Sequence, residues 1–393
     1  MIKEKTIKAV TDNDLCHGCG TCTVACPLSA IEMVRDNHRG LYIPKINFQL
    51  CNECSICLKV CPGHSVDFRQ LNTCIFPNQS TDVMLGVHEK CYTSYSTDDE
   101  LRYNGASGGL VTRLLISALE EGYIDGALVT RMNTDNPLEP EPFIARTKDE
   151  IISAAKSKYC PVPANVALKE IMDIEGRYAV VGLPCHIHGI RKYEQINKKL
   201  KERIILHIGI FCGYTYSFLA TDFLLSKFGI NRENIKALNY RGEGWPGSAS
   251  ILTDDNRNIL IPTFELYKTL ELTFRPRRCS LCCDGSAELA DISCGDAWLP
   301  EFADDNLGTS IAITRNKLGD DLINNTARLD DLHLRELSSE LVIKSQPMWI
   351  YKKVYIKLFL LLAKIQRKGI PEYKVELTKL NISSIFKALL ETI

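Results

Sequence analysis

Neither sign of charge dominates this chain: 47 lysines and arginines stand against 48 aspartates and glutamates in 393 residues, a formal net charge of −1. That balance removes the electrostatic footprint of a nucleic-acid binder, and points instead to a small molecule or another protein as partner. The opening Met1-Ile2-Lys3-Glu4-Lys5-Thr6 begins no apolar signal segment, so a reducing, cytoplasmic setting is expected. Nor is any run long and apolar enough to span a bilayer, since residues 349–364, the most apolar stretch, carry four lysines. That stretch reads as an amphipathic helix over the core, with a membrane-surface or partner-docking helix as the alternative. Signatures of a zinc hydrolase, a phosphate loop or a Ser-His-Asp triad are missing too, and no residue is singled out as catalytic.

What the chain has in plenty is cysteine, 17 residues of it. Cys16-His17-Gly18-Cys19-Gly20-Thr21-Cys22-Thr23-Val24-Ala25-Cys26-Pro27 and Cys51-Asn52-Glu53-Cys54-Ser55-Ile56-Cys57-Leu58-Lys59-Val60-Cys61-Pro62 write C-x2-C-x2-C-x3-C-P twice. A cubane [4Fe–4S] cluster takes three thiolates from one such loop and its fourth from the other half of a pseudo-symmetric fold. One cluster is therefore expected on Cys16, Cys19, Cys22 and Cys61, the other on Cys51, Cys54, Cys57 and Cys26. A zinc site uses four ligands with open spacers, and a disulfide framework would not repeat one spacing twice. Residues 8–70 thus resemble the bacterial two-cluster ferredoxin module, with short strands expected over 30–33 and 65–68 and a loop over 35–40. Clusters in such loops are oxygen-sensitive, which suggests an anaerobic or microaerobic host.

A ferredoxin needs few of the 393 residues, so its clusters must serve a second site. Residues 71–99 read as an irregular, turn-rich linker holding Cys74 and Cys91, which match no cluster spacing. Buried strands are then expected over 124–130, 178–185 and 204–213, a polar turn over 133–142, and helices from about 187 and 218; this alternation argues an α/β layer with a mixed sheet. Ser107-Gly108-Gly109 opens a helix whose bare N-terminal N–H groups suit an anion, although Ser107 as a plain cap is equally compatible. Cys279-Ser280-Leu281-Cys282 is the only C-x2-C outside the ferredoxin. With Cys185 and Cys212 at the ends of neighbouring strands it supplies four ligands for a third [4Fe–4S] cluster, with zinc or no metal as alternatives. Cys294 is the reserve ligand, Cys283 would point elsewhere, and Cys160 would line the pocket. His207 reads as a hydrogen-bonded core residue, while His186 and His188 flank the Pro184-Cys185 turn.

The ordered set Ser107-Gly108-Gly109, Lys158-Tyr159, Gly182-Leu183-Pro184-Cys185, Gly244-Trp245-Pro246-Gly247, Cys279-x2-Cys282 and Ala290-Asp291-Ile292-Ser293-Cys294-Gly295-Asp296-Ala297-Trp298 resembles the beta-subunit family of coenzyme F420-reducing hydrogenases and dehydrogenases over residues 85–340. That family includes 7-hydroxymethyl chlorophyll a reductase and relatives from polysaccharide gene clusters. Where it carries a valine-like residue before the last Gly-Asp, this chain has Cys294. The resemblance implies a ferredoxin fold joined to a mixed-sheet α/β flavin-binding region, α+β / α/β overall. The expected divisions are 1–70 ferredoxin, 71–100 linker, 101–240 beta-subunit N-terminal-like, 241–340 C-terminal-like with cluster cysteines, and 341–393 helical tail. It implies FAD, with Ser107, Gly108, Gly109, Lys158 and Asp296 as candidate contacts, Gly295 leaving room beside Asp296. The function implied is an oxidoreductase passing electrons between a hydride donor or acceptor, coenzyme F420 or a relative of it, and the iron–sulfur clusters, then to a redox partner protein or subunit. The alternatives are a ferredoxin-linked reductase of glycan biosynthesis and an electron-transfer subunit without its own substrate site.

Overall fold

The computed structural model describes residues 5–77, 80–270 and 273–378. Each C-x2-C-x2-C loop ends in one turn of helix, α1 (Thr21–Val24) and α2 (Ile56–Lys59), entered through a residue of positive φ, Gly20 at 86° and Ser55 at 61°. The backbone therefore turns sharply between the second and third cysteine of each motif. A Cβ on Gly20 would sit 2.8 Å from Val166, so this loop is also where the module meets the rest of the chain.

Between the loops the expected strand is longer than the sequence suggested. β1 (Ile31–Asp36) pairs antiparallel with β2 (Leu41–Ile46), from Ile31↔Ile46 to Asp36↔Leu41, and only residues 37–40 remain for the turn. β3 (Ser65–Asp67) pairs in parallel with Glu372–Lys374, a strand in what was expected to be a purely helical tail; residues 379–393 of that tail lie outside the described residues. Asp67 then caps helix α3 (Phe68–Ile75) by accepting the Gln70 N–H at 3.0 Å.

The body is built on β4 (Lys90–Ser96), α4 (Leu110–Glu120), β5 (Gly126–Met132), β6 (Pro140–Ala145), β7 (Tyr178–Gly182), α5 (Pro184–Glu194), β8 (Ile204–Ile210), α6 (Phe218–Lys227), a small antiparallel sheet of β9 (Ile235–Asn239), β10 (Ser248–Thr253) and β11 (Asn258–Pro262), then β12 (Ile292–Asp296), β13 (Ser310–Thr314), α7 (Lys317–Arg328), β14 (Leu332–Glu336) and α8 (Ile356–Ile365). Eight strands form one mixed sheet in the order β14-β4-β13-β12-β8-β7-β5-β6. Its centre, β12-β8-β7-β5, is parallel and its flanks antiparallel. Successive residues face opposite sides: Leu128 and Val180 pack with Ile187 and Ile190 of α5, while Ala127, Val129 and Ala179 pack with Leu110 and Leu114 of α4.

Two expectations change here. The linker over 71–100 contains β4, which sits inside the sheet because its alternation fits between β14 and β13; and the division at 241 runs through that sheet, since β12 and β13 complete it. The expected turn over 133–142 likewise gives way to β6 from Pro140 onward.

Cys185 is the second residue of α5, just past β7, and Cys212 lies two residues past β8; these strands pair in parallel, Gly209 opposite Gly182. Both cysteines therefore stand at one carboxyl edge, where open α/β sheets place their sites. A buried polar knot lies toward the opposite, amino-terminal side of these strands, at the far end of α5 from Cys185. His207 of β8 bonds the Glu194 carboxylate at 2.7 Å and the Asp291 carboxylate at 3.0 Å, and Arg191 of α5 donates to Asp291 at 2.9 Å and to Glu194 at 3.3 Å.

Burial opposes ionisation throughout this knot. At Asp291 the Arg191 and His207 charges outweigh it and hold the carboxyl well below its usual 3.8. At His207 burial and the Arg191 charge pull downward, yet Glu194 and the two carboxylate bonds raise the imidazole above its usual 6.5. A depressed acid contributes stability that is complete above its unfolded value and lost as pH falls; a raised histidine contributes stability that is complete below its unfolded value and lost as pH rises through the folded one. Anaerobic urea unfolding should therefore show the knot's full contribution between about pH 4 and 6.5. Asp291→Ala should cost about 3–5 kcal/mol there, because Arg191 is left buried without its partner, and an unchanged midpoint would contradict this reading.

Candidate functional site

Two cysteine-lined cavities lie side by side under the sheet edge. The smaller, about 290 Å³, is walled by Cys16, Cys19, Cys22 and Cys61 together with His17. The larger, about 610 Å³, is walled by Cys185, Cys212, Cys279 and Cys282 together with Cys160, Asp284, Arg278 and Lys352, and it too takes in Cys16 and His17. Among the described residues no three His, Cys, Asp or Glu side chains converge tightly enough for one metal ion. A cubane instead spreads its thiolates around a core of iron and sulfide, and a cavity ringed by four cysteines fits that arrangement.

The electrostatics fit the same chemistry. Burial, with the neighbouring cysteines, pushes the Cys185 thiol well above its usual 9.0 and Cys212 up to about 12; Cys61 rises to about 11 for the same reasons, with Cys19 its neighbour. Thiols this crowded do not ionise together unless a multivalent cation sits among them. Backbone N–H groups already aim at sulfur, Gly18 to Cys16 Sγ and Ala30 to Cys26 Sγ, each at 3.3 Å. Burial alone would lower Lys352, but Cys282, Cys212, Cys279 and Asp284 around it raise it instead, so a positive charge faces the larger cavity. In the second ferredoxin set, Cys57 and Cys26 share one apolar cluster, and Cys51 and Cys54 join burial in raising Cys57. Cys54 is exposed.

The remaining candidates line neither cavity. Gly109 caps α4 at φ 70°. Gly108 is pressed so close to the sheet that a Cβ would meet Ser94 O at 2.8 Å, and Ser107 Oγ donates to Thr309 O at 2.9 Å, so all three have structural duties. Next to them, the Gly308 backbone abuts Trp245, whose indole N–H donates to Asp296 at 2.8 Å. Arg241, fully buried, grips the same carboxylate with both terminal nitrogens at 2.9 and 2.6 Å and reaches the Tyr159 hydroxyl at 3.4 Å. Beside Tyr159, Lys158 Nζ donates to the carbonyls of Ala154, Ala155 and Lys156 at 2.6, 2.7 and 3.0 Å; desolvation of this half-buried group pulls it down to about 7.

Several sequence readings change at this point. Asp296 is the end of β12 and the partner of Arg241, and the space beside Gly295 is filled by the Phe211 ring, 2.1 Å from where a Cβ would stand. Cys294 points with Ile292 into the apolar layer under α4, away from both cavities, where burial alone lifts it to about 12. Cys283 lies in the opposite layer. Cys91 is buried and Cys74 exposed. His186 bonds the Val162 carbonyl at 3.0 Å and His188 the Asp284 carboxylate at 2.7 Å. Sequence reasoning missed His17, Arg278 and Lys352 on the cavity walls. The first two adjoin Cys16 and Cys279 and so carried a signal; Lys352, some 70 residues beyond Cys282, carried none.

The family description "Coenzyme F420 hydrogenase/dehydrogenase, beta subunit N-term" matches residues 91–169, its C-terminal counterpart 175–340, and a 4Fe-4S dicluster domain 15–65. The coenzyme F420 hydrogenase subunit beta of Methanothermobacter thermautotrophicus is 32% identical over 249 residues, covering 61% of this chain and 82% of that protein. An F(420)H(2) dehydrogenase subunit of Methanosarcina mazei is 26% identical over 304 residues, 75% and 79% of the two chains. The coenzyme F420-dependent sulfite reductase of Methanocaldococcus jannaschii is 27% identical over 359 residues, 85% of this chain but 49% of that protein, so here the match spans about half of the relative. A chain of the F420-reducing [NiFe] hydrogenase complex from Methanosarcina barkeri superposes with a TM-score of 0.59 at 24% identity, covering 74% of this chain and 98% of that one; at that identity the shared property is the fold.

Asp296 offers the clearest test of these contacts. Asp296→Ala should cost about 3–5 kcal/mol, because Arg241 would stay buried with no counter-charge, and should shift the emission of Trp245, which loses its acceptor. Asp296→Asn keeps an acceptor and should cost less. Denaturant midpoints and tryptophan fluorescence of both variants check this, and midpoints for both equal to that of the natural chain would show the charge pair to be unimportant.

Proposed function

The chain belongs to the coenzyme F420 hydrogenase/dehydrogenase beta-subunit family, and on that premise we propose that it is an FAD-dependent iron–sulfur oxidoreductase carrying three [4Fe–4S] clusters. The ligand sets are Cys16, Cys19, Cys22 and Cys61; Cys51, Cys54, Cys57 and Cys26; and Cys185, Cys212, Cys279 and Cys282. The hydride donor is a reduced deazaflavin such as coenzyme F420, which the named relatives use. A bound flavin supplies the exchange between a hydride's electron pair and the single electrons that clusters carry.

The observation that carries this reading is the wall shared by the two cavities, Cys16 and His17. It sets the inner cysteines against the ferredoxin set, so electrons need no mobile carrier between them. The chain's own residues do the rest. Lys352 and Arg278 oppose the negative charge of the inner thiolates, and Tyr159, Arg241 and Trp245 keep the surroundings of Asp296 ordered. For FAD, the first turn of α4 behind Ser107, Gly108 and Gly109 offers helix-end N–H groups to an anionic portion. Lys158, held by three carbonyls, positions that region more than it grips a phosphate. A relay subunit without its own substrate site is the second reading; exposed Cys54, where an external partner can draw electrons, favours it.

Anaerobic purification separates these possibilities. The holoprotein should hold about twelve irons per chain and FAD, and should oxidise reduced deazaflavin with viologen as acceptor. A relay subunit would not do so without its partner, and absence of flavin after reconstitution would sink the FAD assignment. Replacing both Cys279 and Cys282 by serine should remove about four irons while leaving the ferredoxin signals intact; about eight irons in both forms would refute the third cluster.

A further inference from the structure

His17 stands out among the buried polar groups that the proposed reaction does not yet use. Its ring lines both cysteine cavities, and both its nitrogens are buried without a hydrogen-bond partner. A buried polar group left unpaired is costly and rare, so the neighbours matter. The titratable side chains that act on the ring are Arg278, His188, Lys352 and His186. Lys352 and Arg278 are donors only. His186 is occupied by the Val162 carbonyl and the Leu183 N–H, and His188 by Asp284. The one carboxylate on the larger wall, Asp284, already accepts from His188 at 2.7 Å, Ser286 N–H at 2.9 Å and Glu288 N–H at 3.0 Å. What faces His17 from both sides as possible acceptors is therefore sulfur.

We propose that His17 bridges the two neighbouring clusters, donating an imidazole N–H to a cluster sulfur and filling the gap through which electrons pass between the Cys185 set and the Cys16 set. The inference rests on the three-cluster reading above. In the step it serves, one electron leaves the inner cluster, which is oxidised, and reduces the Cys16 cluster; no bond forms or breaks and no proton moves, and the hydride donor is the reductant. Hydrogen bonds to cluster sulfur favour the more negative, reduced state, so the donor also raises the potential of the cluster that receives it. A positioning role of this kind needs the N–H and not the ring alone. Glutamine at 17 would keep a donor, whereas leucine would fill similar space without one.

The test uses anaerobic holoprotein of the natural chain and of the His17→Leu and His17→Gln variants, with iron analysis, EPR-monitored redox titration and freeze-quench reduction by reduced deazaflavin. Expected are unchanged iron, a more negative potential for one cluster in His17→Leu, and partial return in His17→Gln. Electron arrival at the ferredoxin clusters should slow about 10–100-fold in His17→Leu, the range typical of lost outer-shell partners. Unchanged potentials and rates in His17→Leu, with all twelve or so irons present, would overturn the bridge while leaving the three-cluster reading intact. Loss of about four irons in both variants would also overturn it, by making His17 a structural support or a ligand. About eight irons in the natural chain would instead mark failure of the underlying reading.

Discussion

One buried guanidinium joins the two halves of this molecule. Arg278, 1% exposed, donates to the Leu281 carbonyl at 2.8 Å and to the Pro62 carbonyl at 3.0 Å. Leu281 lies between Cys279 and Cys282, and Pro62 follows Cys61. A planar fork of fixed geometry thus sets the spacing between one ligand loop and the other. A lysine could satisfy either carbonyl but would not impose that spacing. Its neighbour Arg277 extends the staple, donating to the Asn13 carbonyl at 2.8 Å and the Gly369 carbonyl at 2.6 Å. With Lys192 donating to the Cys61 carbonyl at 2.8 Å and Asn165 to the Thr21 hydroxyl at 2.7 Å, this contact makes the ferredoxin module part of the same packed site and not an appended domain.

The C-terminal segment serves the same constraint from the other side. Trp349 packs its ring edge-on against Phe211 at 4.9 Å, and Lys353 forms a buried ion pair with Glu288. Tyr373 donates to the Leu281 carbonyl at 3.0 Å while its strand pairs with Ser65–Asp67. A segment whose composition suggests a helix lying over a core therefore also closes the ferredoxin's edge strand and orders the Cys279 loop. No helix among the described residues is long and apolar enough to cross a membrane, and two of the four lysines that interrupt this stretch are buried: Lys352 faces thiols and Lys353 a carboxylate.

The knot of His207, Asp291, Arg191 and Glu194 couples the sheet to these sites. It locks the far end of α5 to β8 and to the residue preceding β12, so the helix that carries Cys185 and the strand that leads to Cys212 are tied by four side chains that do not themselves line the cavity. Buried charges of this kind add little net stability compared with a well-packed apolar core. Their value lies in register, because only one alignment of β7, β8 and β12 satisfies all four groups.

The sequence alone determined the local parts of this protein. The twice-repeated C-x2-C-x2-C-x3-C-P spacing, the apolar runs of the central parallel strands and the ordered family motifs are legible because each depends on residues within a few positions of one another. His207 as a core residue follows in the same way, from its place in a buried strand. Only the tertiary structure decided which distant residues meet. Cys294 stood as the reserve ligand in the sequence, but a strand alternates its side chains, and the phase that buries Ile292 under α4 carries Cys294 there as well. Gly295 was read as space for a ligand, yet Phe211 enters from the neighbouring strand end. Lys352 and Arg278 reach the larger cavity, and His17 lies in the wall common to both, because the ferredoxin module and the C-terminal segment pack against the Cys279 loop and bring together residues more than 150 positions apart. Sequence spacing specifies what each loop can bind; long-range packing specifies what stands next to it.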